Sequence, residues 1–407
     1  MNVVLVEPHF PSNQRQFARA LAEVGATMIG VGETPQYGLD DQLKGWLTHY
    51  EQVSSVTNVE AMTDTVRRIQ GMVWVDRLEA TVEAHTMAAA QVREACGIPG
   101  TSVRTAWLCR DKPSMKQALR EAGVPTAVST AAGSAAEAHT FAEQVGFPLI
   151  LKPRSGAGAA DTTRVDDADQ LNRALLSYGR QGVGSIALEE FVEGHEGFYD
   201  TLTVNGETGL DFVSHYYPNV LEAMRTRWIS PQFVSTNRVD AVPEYGELRD
   251  MGRRVVAALG IGTSATHLEW FYGPKGLKFS EIGCRPPGVG AWDLYSAGND
   301  IDLYREWANA IVHGQVDAAP SRRFATGIVA LRPEADGRIH GYSGVEEVHR
   351  QFGDWVIDSH LPHVNSPTQP VEAGYMANAY VRMRHPDYDT LRGMLDMVGG
   401  TLRVHAA

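Results

Sequence analysis

Length and composition indicate a globular protein and exclude several partner classes. With 407 residues and 43% hydrophobic content, the chain is long enough for several domains of about 100–200 residues each. Its 36 Lys and Arg residues are outnumbered by 49 Asp and Glu residues, which gives a net charge of -13. Because the chain is acidic and carries no run of basic residues, a nucleic-acid partner is not expected.

The cysteines and the start of the chain bear on its compartment. The 3 cysteines are widely spaced and include no CxxC pair, so they support neither a disulfide framework nor a zinc site. The opening MNVVLVEPHF lacks the basic and long apolar regions of an export signal, and no later run approaches about 18 apolar residues. We therefore expect a cytoplasmic protein without a membrane span.

The first predicted elements form a β-α-β unit. A β-branched run, NVVLVEP, ends at Glu7-Pro8, and the next segment places apolar Phe17, Leu21 and Val24 at helical spacing before a second apolar run. The helical segment ATVEAHTMAAAQVREACGIPG then closes this unit. The pattern predicts a first α/β domain over residues 1–110.

Helices and strands continue to alternate in the rest of the chain. They include a hairpin around Asn205-Gly206, since Asn-Gly favours two-residue hairpin turns. The pattern predicts a central domain over 111–320 and a small C-terminal α/β subdomain over 321–407. The expected fold class is α+β, with an α/β N-terminal domain.

The segment HLEWFYGPKGLKFSEIGCRPPG carries acids in strand-like apolar runs. If its turn is centred on Lys275, Glu269 and Glu281 become cross-strand neighbours with Cβ atoms about 4.5–5.5 Å apart. Two carboxylates at about 4 Å repel by ~4 kcal/mol at an effective dielectric constant near 20, so a shared proton or cation must offset the repulsion. The period of two along a strand puts Gly283 and Arg285 on the face of Glu281.

This face of the hairpin is suited to a cation next to an oxyanion. Mg²⁺ is a hard ion that proteins hold through one or two carboxylates together with phosphate oxygens and water. The alternative is a solvated sheet face, on which the acids only pair with Lys275, Lys278 or Arg285.

Three further segments have features of a nucleotide site. LILKPRSGAGAAD places Lys152 at the end of an apolar strand, and the glycines after it let backbone N–H groups approach phosphate oxygens. In ALEEFVEGHEG, Glu189, the backbone up to Val192 and Glu196 could meet an adenine edge and a ribose diol. Lys112 begins a helix after CRD. The alternatives are a mobile turn, an exposed strand end and a solvated lysine. Neither GxxxxGK[ST] nor a helix-opening GxGxxG is present.

Taken in order, these motifs resemble the ATP-grasp superfamily across nearly the whole chain. The series is Lys112, GVPT, GFPLILKPRSGAGA, LEEFVEGHE, HLEW and FSEIGCR. Its order carries the resemblance, because each motif alone is weak evidence. The resemblance implies a Rossmann-like preceding domain, a lid subdomain at about 124–190, and a C-terminal segment, ATGIVALRPEADGRIHGYSGVEEV, similar to that of biotin-carboxylase-like members.

The resemblance also implies ATP and Mg²⁺ as cofactors, with Mn²⁺ as an alternative ion. Glu269 and Glu281 would hold the metal. The expected ATP-binding residues are Lys112 and Lys152 on the phosphates, Gly156 and Gly158 in a lid loop, Glu189 and the Val192 backbone on adenine, and Glu196 on the ribose. Many members have E-x-N-x-R where this chain has EIGCR, so Gly283 replaces the usual asparagine ligand.

Within the superfamily, EIGCRPPGVGAWDL is most similar to L-amino-acid ligases and related carboxylate–amine ligases. The resemblance implies an ATP-dependent ligase that forms an amide or peptide bond through an acyl phosphate, releasing ADP and phosphate. Its partners would be a small carboxylic acid, an amine and, by analogy with relatives, a second copy of the chain. The alternatives are a carboxylase of the biotin or purine-biosynthesis type and a nucleotide-binding protein without turnover.

The remaining candidate residues could contact the reacting substrates, although the alternative for a loop arginine is a solvated side chain. Arg285 would stabilise the acyl phosphate and the oxyanion formed on attack, and His267 is either catalytic or a packed strand histidine. Candidate substrate contacts are Glu83, Arg225, Arg227 and Gly288, with Trp228 and Trp292 as apolar walls.

Overall fold

The computed structural model describes residues 1–154, 162–180, 182 and 184–407. Its first unit is a parallel sheet in the order β3-β2-β1-β4, with helices on both faces. Alternate residues of β1 face opposite ways, since Val3 and Leu5 share one apolar cluster with the first helix while Val4 and Val6 join another. The elements are β1 (Asn2–Val6), α1 (Gln14–Glu23), β2 (Thr27–Gly32), α2 (Asp41–Trp46), β3 (His49–Gln52), α3 (Val59–Gln70), β4 (Arg77–Glu79) and α4 (Glu83–Cys96).

The second unit is a small antiparallel sheet with two helices packed against it. Two helices, α5 (Val103–Leu108) and α6 (Lys112–Glu121), lead into it, and its strand order is β5-β8-β6-β7. This unit occupies the stretch that the motif order assigned to a lid. Its elements are β5 (Ser129–Ala132), α7 (Ala135–Val145), β6 (Leu149–Pro153), β7 (Thr163–Val165), α8 (Ala168–Arg180) and β8 (Ile186–Glu190).

The third unit is a large antiparallel sheet that carries the acidic hairpin. The β9–β10 turn falls at Asn205-Gly206, where both residues have positive φ, as the Asn-Gly pair predicts. Its first strands are β9 (His195–Val204), β10 (Glu207–Tyr217), β11 (Gln232–Ser235), β12 (Ser264–Gly273), β13 (Gly276–Gly283) and β14 (Ala325–Leu331). The helices of this part are α9 (Val220–Ala223), α10 (Tyr245–Leu259), α11 (Ala291–Asn299) and α12 (Leu303–His313).

Three strands of the last segment extend the large sheet, and the other two form a small sheet of their own. The 8-stranded order is β13-β12-β9-β10-β11-β14-β17-β16, while β15 and β18 form a two-stranded sheet beside it. The sequence pattern did not indicate this continuity across residue 320. The elements are β15 (Ile339–Ser343), α13 (Val345–Phe352), β16 (Val356–His360), β17 (Ala379–His385), α14 (Tyr388–Thr401) and β18 (Arg403–Ala406), with short 3-10 helices at Gln36–Gly38, Gly353–Trp355 and Val371–Ala373.

The two faces of the large sheet have different roles. Tyr199 and Leu268 point into an apolar cluster with α6 and α10, whereas Phe198 and Ala265 point the other way, towards α11, α12 and the N-terminal unit. The second face becomes polar towards β13, where it forms the floor of the candidate site. In the described part of the chain, no helix combines the length and apolar character needed to cross a membrane.

Candidate active site

The acidic hairpin has the expected pairing, but its turn differs from the one assumed. β12 and β13 are antiparallel, and Glu269 lies directly opposite Glu281. Near the turn Gly273 pairs with Gly276, so the loop is the two residues between them and is not centred on Lys275. A bulge between Glu269 and Trp270 then shifts the register by one residue. The one-residue shift at the bulge offsets the one-residue difference in pairing between the assumed and the observed turn. Glu269 and Glu281 therefore face each other as predicted.

The two facing carboxylates are largely buried and electrostatically unequal. Their side chains are 18% and 20% exposed for Glu269 and Glu281, which rules out the alternative of a solvated sheet face. Burial and the charge of Glu281 raise the pKa of Glu269 to about 8. Burial acts in the same direction on Glu281, but the charges of Lys112 and Lys152 outweigh it and lower the pKa of that group. The pair thus holds one carboxyl that a cation would stabilise.

Lys112 is held at the start of α6 by capping. Asp111 accepts a hydrogen bond from the Ser114 N–H at 3.1 Å and a bidentate pair from Arg154, which follows β6. The Lys112 N–H also donates to the Arg154 carbonyl at 3.0 Å. With Nζ 3.3 Å from Glu281 Oε2 and a residue exposure of only 7%, Lys112 is not the solvated lysine of the alternative interpretation.

A third lysine, Lys116, belongs to this site and was missed in the sequence. Its Nζ lies 2.6 Å from Glu189 Oε1, while Lys152 Nζ lies 2.9 Å from Glu189 Oε2. Burial lowers the pKa of Lys116 to about 8, against the pull of Glu189. Lys116 is one helical turn after Lys112, so the i, i+4 spacing is the signal that could have found it.

The Glu189 side chain, which was expected to contact adenine, is paired with two lysines. Its carboxylate lies between the two ammonium groups of Lys116 and Lys152 and is 5% exposed. Burial alone would raise its pKa, but the two lysines lower the pKa to about 2. In this arrangement the side chain holds the lysines in place, and any contact with a base from this residue would come from its backbone.

These residues line one cavity of about 380 Å³ between the small sheet and the large sheet. Glu196 is buried there, its Oε2 accepts the Val220 N–H at 2.7 Å, and burial raises its pKa to about 7. The cavity has a charged end and an apolar wall. The expected residues that line it are Lys112, Lys152, Glu189, Val192, Glu196, Arg225, Glu269 and Glu281, and the apolar wall includes Ile150, Phe191, Leu221 and Phe271.

A smaller cavity adjoins the first and shares Lys112 and Glu281 with it. It is lined by Arg285, Glu83 and His267, and Arg285 Nε donates to Glu83 Oε2 at 2.9 Å. A Cβ on Gly283 would lie 3.2 Å from that Glu83 oxygen and 3.4 Å from Arg285 Nε. The glycine therefore leaves room for the Glu83 carboxylate and the Arg285 guanidinium.

Other predicted contacts lie elsewhere. Arg227 pairs with Asp336 of the last segment, at 2.5 and 3.0 Å, and does not line the large cavity. Trp292 is buried against Phe17 of α1, so it is a core residue and not a substrate wall. Trp228 and Gly288 are exposed, and neither lines either cavity of the described residues. Gly156 and Gly158 lie outside the described residues.

The family description of the ATP-grasp domain matches residues 117–299 of this chain. That segment contains Lys152, Glu189, Glu269 and Glu281, which meet in the large cavity. The chain therefore contains an ATP-grasp domain and has the ATP-grasp fold, which confirms the resemblance seen in the order of the motifs.

The similar proteins include ligases. The L-arginine-specific L-amino acid ligase of Bacillus subtilis is 25% identical over 316 residues, covering 76% of this chain and 75% of that one. An L-amino acid ligase structure from Bacillus licheniformis has a TM-score of 0.78 at 18% identity, covering 100% and 98%. N5-carboxyaminoimidazole ribonucleotide synthetase from Thermotoga maritima has a TM-score of 0.71 at 16% identity, covering 100% and 99%. The chain thus contains an ATP-grasp domain and is similar to L-amino acid ligases over most of its length.

Proposed function

We propose that the protein joins a small carboxylic acid to an amine through an amide or peptide bond, with ATP converted to ADP and phosphate. The observation that carries this proposal is a single cavity with lysines at its charged end and facing carboxylates on its floor. Ammonium groups suit phosphate oxygens, and an apolar wall suits a base. The smaller cavity, of about 20 Å³, adjoins that charged end, and the carboxyl group of the acid would lie where the two cavities meet, next to Arg285.

The residues present fit Mg²⁺. Glu269 and Glu281 supply hard oxygen donors on opposite strands, and burial leaves one of them in need of a positive charge. No group of three or more His, Cys, Asp or Glu in the described ranges is arranged to hold a metal. Mg²⁺ is commonly held by one or two carboxylates plus substrate phosphates, so two glutamates with ATP are sufficient. The bound ion would neutralise charge on the phosphates. Mn²⁺ could occupy the same donors.

The proposed chemistry divides the work among named side chains. A carboxylate is a poor electrophile, and transfer of the γ-phosphoryl group to it creates an acyl phosphate with a good leaving group. Lys112 and Lys152 would hold the phosphates in line with the acid. Arg285 would stabilise the charge that develops on the carbonyl oxygen when the amine attacks. Glu83, hydrogen-bonded to Arg285, orients that guanidinium and could also bind an ammonium group of an amino-acid substrate.

The test is an ADP-release screen over pairs of carboxylic acids and amines, followed by the mass of the product. ADP and phosphate that appear only when both substrates are present, with a product heavier than the acid by the amine less water, support the proposal. Release of AMP would exclude the acyl-phosphate route. Turnover that depends on bicarbonate would support the carboxylase alternative. A cytoplasmic location and a homodimer remain predictions, to be checked by fractionation and by light scattering.

A further inference from the structure

His267 of β12 is held by a buried acid that the motif order did not single out. Asp200 of β9 lies directly opposite His267 across the strands and is 1% exposed. Its Oδ1 is 2.6 Å from His267 Nδ1. The other ring nitrogen, Nε2, is 3.8 Å from Glu269 Oε1, which is beyond hydrogen-bond distance. The ring also lines the small cavity with Arg285 and Gly283.

Asp200 is itself fixed by neighbours on the far side. Tyr295 of α11 donates a hydrogen bond to Asp200 Oδ2, and its hydroxyl lies 3.3 Å from Ser214 Oγ. The Tyr295 ring stacks on Phe212 with centroids 4.3 Å apart and planes 5° from parallel. Packing and hydrogen bonds thus leave the carboxylate with one orientation, and Phe198 packs edge-on against the histidine ring.

This arrangement determines which nitrogen of the ring carries hydrogen. An ionised carboxylate can only accept, so Nδ1 must donate to Asp200, and the neutral ring then has its lone pair at Nε2. We propose that Asp200, supported by Tyr295, is a positioning residue that holds His267 so that Nε2 accepts a hydrogen bond from the amine substrate. This inference rests on the proposed ligase function.

Asp211 of β10 provides a matched comparison. It is also buried and also accepts a hydrogen bond from a tyrosine, Tyr199, at 3.2 Å. Its charge is compensated by Arg249 and Arg322, however, and it lines neither cavity of the described residues. A purely structural role would therefore make the two aspartates behave alike on substitution.

The kinetic test compares Asp200→Ala, Asp200→Asn and Tyr295→Phe with Asp211→Ala. We expect Asp200→Ala to lower kcat for amide formation by about 10- to 100-fold with the KM for ATP unchanged. Asp200→Asn keeps an oxygen that can accept from Nδ1 and should recover most of that loss. Tyr295→Phe, which preserves the stacked ring, should lose a few-fold and covers the case in which Asp200→Ala does not fold. Asp211→Ala should lower thermal stability without changing kcat.

A partial reaction separates the two chemical steps. Excess hydroxylamine, largely unprotonated at neutral pH, captures an acyl phosphate as a hydroxamate without needing an oriented amine. Hydroxamate formation should be unchanged in Asp200→Ala while amide formation falls. If Asp200→Ala lowers hydroxamate formation and amide formation equally, the positioning role is wrong. It is also wrong if activity falls in proportion to thermal stability in both Asp200→Ala and Asp211→Ala.

The second readout does not require turnover. In ¹⁵N-histidine NMR spectra recorded at alkaline pH, His267 should be the Nδ1–H tautomer because Asp200 lies at Nδ1, with its signals assigned by their loss in His267→Gln. Asp200→Ala should give a mixture of tautomers. A wild-type Nε2–H tautomer contradicts the inference even if the enzyme is a ligase. If no acid–amine pair reacts, the proposed function fails while the tautomer result still stands.

Discussion

Glu189 and Glu269 line the same cavity in opposite electrostatic environments. Burial alone would raise the pKa of both. At Glu189 the charges of Lys116 and Lys152 outweigh burial and lower the pKa to about 2. At Glu269 burial and the negative charge of Glu281 act in the same direction, and the pKa is raised to about 8. Glu189 is therefore ionised and paired with lysines of the protein, whereas Glu269 keeps its proton at neutral pH until a cation binds.

This difference separates a structural ion-pair network from a ligand site. Lysines on two elements, α6 and β6, converge on Glu189 and thereby fix the distance between the helix and the small sheet. The facing acids of β12 and β13 do not hold their two strands together, because two ionised carboxylates repel each other. Their proximity costs stability in the unliganded protein, and such a cost is expected at functional sites.

The largest expected effect is on activity, at Glu269. We expect Glu269→Gln to lower kcat/KM for ADP release by about 10²- to 10³-fold, the size found when one charge-stabilising group is removed. The unliganded protein should be about as stable as the wild type, because a carboxyl with a pKa of about 8 is largely protonated at neutral pH and the neutral glutamine replaces it without a change in charge. A coupled ADP assay and a thermal melt measure both quantities. Glu207→Gln, on an exposed part of β10, is the control, and wild-type turnover in Glu269→Gln would remove it from the site.

The same substitution at Glu189 should mainly lower stability, whereas at Glu269 it mainly lowers activity. Glu189→Gln leaves Lys116 and Lys152 buried beside each other without their shared acid, and removing one partner of a buried pair costs about 3 kcal/mol or more. We expect the midpoint of urea unfolding to fall strongly. Adding Lys116→Met should restore part of the loss. If Glu189→Gln unfolds at the same urea concentration as the wild type, the ion pairs of Glu189 with Lys116 and Lys152 do not stabilise the fold.

Glu196 extends the comparison to pH dependence. Burial raises its pKa from 4.5 to about 7, so its contribution to stability is fully present below 4.5 and is lost as pH rises through 7. The loss should be on the order of 1–3 kcal/mol between about pH 5 and 8. Glu196→Gln, which can still accept from the Val220 N–H, should flatten the pH profile of the unliganded melting temperature. If the melting temperatures of the wild type and Glu196→Gln change with pH in the same way, burial does not raise the pKa of Glu196.

Much of the fold and part of the site followed from local sequence patterns. The helix and strand order, the Asn205-Gly206 turn and the facing Glu269 and Glu281 depend on short-range periodicity and turn chemistry, which the sequence displays directly. The bulge does not, because an extra residue in one strand leaves the apolar pattern nearly intact. The pairing of Glu269 with Glu281 was therefore predicted correctly from a turn position that was wrong by half a residue step and a bulge that was not foreseen.

The missed and misplaced residues depend on contacts between distant segments. Lys116 is a site residue only because Glu189 arrives from another strand, and Asp200 because His267 is its partner across the sheet. Arg227 meets Asp336 at a separation of 109 positions, and Trp292 packs on the N-terminal unit. Such contacts have no local signature, so composition and spacing favoured the wrong environment for both residues.

The smallest expected effect is at Gly283, which lies beside Glu83 and Arg285. A methyl group there would meet Glu83 Oε2 at 3.2 Å and Arg285 Nε at 3.4 Å, contacts that flexible side chains can relieve by moving a few tenths of an ångström. We expect Gly283→Ala to raise the KM for the carboxylic acid by about 3- to 10-fold, which corresponds to ~1 kcal/mol, and to leave the KM for ATP unchanged. Ala291→Gly, in the same region but buried in the apolar core, is the control for general loosening. An effect on the KM for ATP alone would mean that Gly283 belongs to the nucleotide cavity, and the division between the two cavities would have to be redrawn.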